Sequence, residues 1–128
     1  MIYDYIQNAV QNVQLAIFGI LEHKAGSLML LGPDEPYFWP AFMASPEWND
    51  GQCDPMDRWS VRVITTLAQD LDAIPRFPFP PDNAPFLAWA LASGRMWLSP
   101  VKLLIHDEAG LMVSFRGALQ FAHRITAP

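Results

Sequence analysis

Apolar residues recur every three or four positions along the first stretch of the chain: Ile2, Ile6, Ala9, Val10, Val13, Ala16, Ile17, Ile20 and Leu21. On a 3.6-residue repeat they form one stripe, which predicts an amphipathic helix over residues 2–22. Gln7, Asn8, Gln11, Asn12 and Gln14 fall mostly off that stripe, Phe18 adds an apolar flank, and Gly26 reads as a stop. The run Ser27 to Gly32 is too short for a helix and predicts a buried strand. From Pro33 to Pro55 the periodicity is lost. Five prolines and the aromatic run Tyr37-Phe38-Trp39 predict a long loop with one helical turn near Trp39 to Ala44.

A second helix is predicted over residues 55–71. Asp54 stands at its N-cap, Pro55 at its first position, and Asp57 where a carboxylate faces the helix dipole. Trp59, Val63, Leu67 and Leu71 form its apolar stripe, with Ile64 beside them. Ile74 to Phe79 alternates with prolines and suits only an edge strand or an extended segment. Pro80 to Asn83 reads as a turn, and Pro85 to Ser93 as a short helix ended by Gly94. Two strands are predicted at Val101 to His106 and Leu111 to Phe121, joined as a hairpin through Asp107-Glu108-Ala109-Gly110. Alternation would put Met112, Ser114, Arg116 and Ala118 on one face and Leu111, Val113, Phe115 and Gly117 on the other. Neither a repeat nor a linker divides the chain. The expectation is one α+β domain over residues 1–128, with a small, mainly antiparallel sheet and helices packed on it.

Composition narrows the partners. The chain has 128 residues, 52% of them hydrophobic and only 16% charged, which leaves apolar surface beyond what a core of this size needs. That excess, with the wide stripe of the first helix, predicts a two-fold homodimer. The net charge is −5, and the eight basic residues are scattered singly, so neither nucleic acid nor an anionic membrane is an expected partner. No stretch reaches the roughly 18 apolar residues of a membrane span, and no signal peptide is visible. A single cysteine, Cys53, forms no internal disulfide and holds no iron–sulfur cluster, which points to a reducing cytoplasm.

Few residues offer self-contained chemistry. His23, His106 and His123 lack metal-ligand spacing, and no metal site is expected. There is no G-x-S-x-G elbow and no phosphate loop, since seven glycines are spread singly. Cys53 follows an Asn-Asp-Gly turn and reads as an incidental thiol. The aromatic residues are the unusual feature. Trp39, Phe42 and their neighbours in the proline-rich loop offer flat faces suited to a flavin or a corrin ring, or alternatively they seal the core beneath that loop.

Two segments resemble a known family. Asp54-Pro55-Met56-Asp57-Arg58-Trp59 and the helix after it resemble the D-P-x-D signature of the CblC cobalamin-processing family. Leu104-Ile105-His106, then Gly110 and Phe115-Arg116-Gly117, resemble that family's I-H-x-x-x-G…R-G hairpin. Phe38-Trp39-Pro40-Ala41-Phe42 onward to Pro55, and the segment from Arg76 to Ala90, are more similar to bacterial ferredoxin-type relatives, in which such a domain precedes a cysteine-rich 4Fe–4S segment. The resemblance covers most of residues 27–121. It implies a nitroreductase-like fold, cobalamin binding, and reductive removal of the upper axial ligand with reduced flavin or glutathione. It also implies that Arg116 lies near the glutathione and corrin site and that His106 is the hairpin histidine.

With Trp39, Phe42 and Phe115, these two residues make up the expected cofactor-binding set. No catalytic residue is assigned. The chain ends at Pro128, where the relatives' cysteine segment would begin, so electrons are expected from a separate reductase or a soluble reductant. The alternative from another class is a non-catalytic binding or assembly subunit that kept the fold and lost its redox partner domain.

Overall fold

The computed structural model describes residues 2–98, 104–106 and 114–128, with residues 98 and 104–106 described by backbone alone. Within them lie helices α1 (Ile2–Gln11), α2 (Phe38–Met43), α3 (Pro46–Asn49), α4 (Pro55–Leu71) and α5 (Phe86–Ala92). The strands are β1 (Leu15–His23), β2 (Gly26–Pro33), β3 (Ile74–Arg76), β4 (Met96–Leu98), β5 (Leu104–His106) and β6 (Gly117–Gln120). Four strands form an antiparallel sheet in the order β1-β2-β6-β3, and β4 and β5 form a separate antiparallel pair. The architecture is α+β with a small antiparallel sheet, as expected.

Both faces of the sheet are covered. Met29, Leu31 and Leu119 pack with Tyr3, Ile6 and Val10 of α1, with Trp59, Ile64 and Leu67 of α4, and with Phe38 and Phe42 of α2. On the other face Leu28, Leu30 and Ala118 pack with Phe86, Trp89 and Ala90 of α5 and with Met96. β2 lies between β1 and β6 and is buried from Gly26 through Gly32, which explains its unbroken apolar run.

The helix expected over residues 2–22 ends at Gln11, and residues 15–23 form β1 instead. Gln14 adopts φ +61° in the turn between them. The register of β1 against β2 slips between Ile17 and Gly19. This bulge adds one residue to the face repeat. Ile17 and Ile20 therefore share one face and Phe18 and Leu21 the other, each pair three residues apart. A bulged strand buried on both sides thus imitates the helical spacing. Gly26 stops no helix. It opens β2 after the two-residue turn Lys24-Ala25, and a Cβ there would meet the Phe121 backbone carbonyl. The first helix buries Tyr3, Ile6 and Val10 in the core and leaves Ile2 and Tyr5 exposed.

The proline-rich loop holds two short helices, α2 and α3, where one turn was expected. α4 matches its predicted span, with Pro55 in its first turn. Asp54 takes the N-cap place in a left-handed conformation at φ +50°, and its side chain makes no cap hydrogen bond. β3 is the expected edge strand, shortened to three residues beside β6. The C-terminal hairpin differs from expectation within the described residues: β5 pairs with β4, and β6 pairs with β2 and β3. The expected turn Asp107 to Gly110 and residues Leu111 to Val113 lie outside the described residues.

After β6 the chain is fastened to the start of β2. Ser27 Oγ accepts from Ile125 N–H at 2.8 Å, and its own N–H donates to the His123 carbonyl at 3.1 Å.

Candidate functional site

At the N-terminal end of α4 an open cleft of about 420 Å³ is lined by Asp54, Asp57, Arg58, Val61, Arg62, Phe79 and Pro80. The volume falls in the range of small-ligand sites. The start of α4 supplies a wall of two aspartates and two arginines, and Phe79, stacked on Phe77 at a ring separation of 5.3 Å, supplies the apolar wall with Pro80. Behind Asp57 lies Arg116, just before β6, whose backbone N–H donates to the Leu31 carbonyl at 2.9 Å.

The arginines of this region differ in how fully they are used. Arg58 donates two bonds to Asp50, at 2.7 and 3.0 Å, and a third to the Cys53 carbonyl at 2.7 Å. Arg62 binds both oxygens of Glu47 at 2.7 and 2.9 Å and fastens α3 to α4. Those hydrogen bonds hold the Asp50 and Glu47 carboxyls below their ordinary pKa values. In β3, Arg76 binds Asp82 through two nitrogens, donates to Gln120, and lies over the Trp89 ring at 5.1 Å.

Among the described residues the Arg116 side chain has a single hydrogen-bond partner. Its Nη1 donates to Asp57 Oδ1 at 3.3 Å, a long contact, and its Nε is buried with nothing to bond. It is the one such buried side-chain atom among the described residues. Burial pushes the guanidinium pKa below the usual arginine value, opposed by the nearby Asp57 charge and hydrogen bond. A buried N–H without an acceptor is costly, and such groups are rare in folded proteins.

The residues expected to bind a cofactor do not gather at one point. Phe42 is fully buried, stacked on Phe38 at 5.8 Å and edge-on to Trp48 and Trp59 at 5.4 and 6.3 Å. Trp39 lies beside it, partly exposed, with its indole N–H donating to Glu35 at 3.0 Å. Phe115 packs on the opposite face of the sheet, against Phe86 at 5.8 Å and Phe18 at 6.5 Å. Arg116 follows Phe115 in the chain yet reaches α4 on the first face. The backbone of His106 forms the end of β5, and its side chain lies outside the described residues. Cys53 is exposed in the loop before α4.

Asp57 is the site residue that the sequence placed at the helix dipole and in the D-P-x-D segment, without a partner and outside the expected cofactor-binding set. Its contact with Arg116 spans 59 positions, and the signal that could have found it is the D-P-x-D segment itself. Among the described residues no group of three or more His, Cys, Asp or Glu side chains gathers to hold a metal, and no helix is long and apolar enough to cross a membrane. No family model matches the chain, and neither a curated protein nor a solved structure matches it.

Proposed function

We propose that this protein binds a corrinoid and assists reductive removal of its upper axial ligand, within a nitroreductase-like fold and with electrons from a separate reductase or a soluble thiol. One observation carries the reading. The two segments that resemble the cobalamin-processing family, Asp54 to Trp59 and Phe115 to Gly117, meet in space through the Asp57–Arg116 contact beside a cleft. The spare Arg116 donor fits a ligand rich in acceptors: peripheral amide carbonyls, a phosphate, or the carboxylate of a thiol reductant. The cobalt would supply the redox chemistry. The chain's own residues would orient the ligand through Arg116, hold that guanidinium through Asp57, and exclude water with Phe79 and Pro80. An acidic chain with a single thiol suits cytoplasmic work.

The test is a titration of hydroxocobalamin with the purified protein, followed by absorbance, with flavin mononucleotide as a second probe. A shifted cobalamin spectrum is expected, weakened in Arg116→Met. No shift at about 100 μM protein rejects the reading, because weaker binding is not specific. A shift with flavin alone would replace the corrinoid by a flavin.

A second reading, a non-catalytic assembly subunit, is favoured by a different observation. Tyr37, Trp39, Met43 and Trp48 are exposed on and beside α2 and α3. A colourless protein that binds neither probe and captures a partner through these residues would support it.

A further inference from the structure

Between Lys24 and Arg58 the chain carries six carboxylates and no basic residue. Three of the six are compensated from elsewhere: Glu47 by Arg62, Asp50 by Arg58 and Asp57 by Arg116. Asp34 and Glu35, just before α2, have no ion pair among the described residues. The same segment exposes large apolar side chains. Trp39 is 42% exposed, Met43 46% and Trp48 49%, although tryptophan is on average highly buried. These side chains form one surface. Trp39 and Trp48 both lie edge-on to the buried Phe42 ring, at 6.1 and 5.4 Å, and the Asn49 amide beside Trp48 donates to the Met43 carbonyl at 3.3 Å. Glu35 joins them by accepting from the Trp39 indole N–H at 3.0 Å. The ring and hydrogen-bond partners of the two tryptophan side chains all lie between Glu35 and Trp48, with none further off among the described residues. Phe38 and Phe42 anchor α2 in the core, and Ser45 fastens α3 to it by donating to the Phe42 carbonyl at 2.6 Å, so the surface is formed in advance.

We propose that this surface docks a protein partner that presents arginine or lysine interleaved with apolar side chains. A cation over the Trp39 ring would meet its negative π face and find the Glu35 carboxylate at the rim. Apolar side chains of the partner would cover Met43 and Trp48. Aromatic residues and methionine are enriched in interface cores, and arginine is the cation enriched with them. A second copy of this chain fits poorly. Its net charge is −5, so like charges would oppose the approach. Its Arg58, Arg62, Arg76, Arg116 and Arg124 are each already paired with a carboxylate. The proposal goes beyond both readings of function and does not depend on what the cleft binds.

The experiment titrates the full chain with a short capped peptide of alternating arginine and leucine, followed by tryptophan fluorescence. Saturable binding below about 100 μM is expected, weakening as salt is added. The same peptide with glutamate for arginine should not bind, and the peptide with serine for leucine should bind roughly tenfold more weakly. Trp48→Ala should weaken binding at least about tenfold, as for a residue central to an interface. Asp34→Asn with Glu35→Gln should weaken it about threefold at low salt and hardly at all at high salt. This pair keeps the backbone bonds of Asp34 and an oxygen for the Trp39 indole, so it should fold as the parent does even if Trp48→Ala does not. Asp70→Asn, on the exposed side of α4, should change nothing. No saturable binding below about 100 μM overturns the proposal. So does equal binding of the serine peptide, which would reduce the effect to bulk charge, or binding indifferent to the Asp34 and Glu35 changes. Self-association at about 10 μM that Trp48→Ala abolishes would overturn it too, because a second copy would then be the occupant.

Discussion

Replacing Arg116 by methionine should make the protein more stable while impairing its site. The guanidinium side chain is 15% exposed and its Nε has no partner. Leaving a buried donor unpaired costs about 1–3 kcal/mol. Against this stands one 3.3 Å contact with Asp57, whose side chain is 38% exposed. A pair open to solvent on one side contributes at most about 1 kcal/mol. Methionine keeps an unbranched apolar stem of similar reach, so packing is largely retained. Asp57, released, stays solvated in the first turn of α4, where the helix dipole favours it. The net expectation is a gain of about 1 kcal/mol, or roughly 4 °C in the unfolding midpoint for a domain of this size.

Urea unfolding of both proteins, with a common slope, measures the difference. The complementary change, Asp57→Ala, strands the buried charge and should cost about 1–3 kcal/mol, below the figure for a fully buried pair. In the Arg116→Met background the same change should cost much less, since there is no charge left to strand. A loss of more than about 1 kcal/mol in Arg116→Met would refute the reasoning, because Arg116 would then be a strut of the fold and not a group held for a ligand.

Two further outcomes follow from single contacts. Ser27→Ala leaves the Ile125 N–H without its 2.8 Å acceptor, so stability should fall by about 1–2 kcal/mol and protease cleavage after Phe121 should quicken. The Arg62 hydrogen bond holds the folded-state pKa of Glu47 below its unfolded value, so its contribution, at most about 1 kcal/mol, is complete above the unfolded pKa and is lost as pH falls through the folded one. Glu47→Gln should therefore reduce stability at pH 6 and flatten its decline between about pH 5 and 3, and an unchanged decline would exclude this pair as a contributor.

The legibility of the fold varied with how local its causes were. α4 matched its predicted span because its stop and start signals are adjacent residues: Pro55 at the entry and an apolar stripe through Trp59 and Leu67. β2 was legible because a central strand needs apolar residues at every position. β1 was misread for a reason that lies outside its own residues. The bulge at Phe18 exists only in relation to β2, and it alone turns a two-residue repeat into the three-residue spacing that imitates a helix. The pairing of β6 with β2 and β3 was likewise invisible, since proximity in the chain favoured a hairpin with the strand just before it.

The same logic explains the uneven legibility of the candidate site. Arg116 stood out because a basic residue between Phe115 and Gly117 in an apolar segment needs an acceptor. Simple alternation then put it on the same face as Ala118, on the assumption of one strand from Leu111 to Phe121. The strand begins only at Gly117, where a Cβ would lie 2.6 Å from Ile64 Cδ1 of α4. Residue 117 therefore faces α4, and the non-strand backbone before it lets Arg116 reach the same side, at Asp57. The aromatic loop was read correctly as unusual, yet its two readings separate residue by residue. Phe42 seals the core beneath the loop, while Trp39 and Trp48 remain open. What brings Asp57 and Arg116 together is the packing of α4 across the start of β6, and a helix crossing a strand end leaves no repeat in the amino-acid pattern. Glycine at position 117 is the local trace of that crossing, because it keeps the ground beneath Ile64 clear and so sets how closely α4 can carry its carboxylate to the guanidinium.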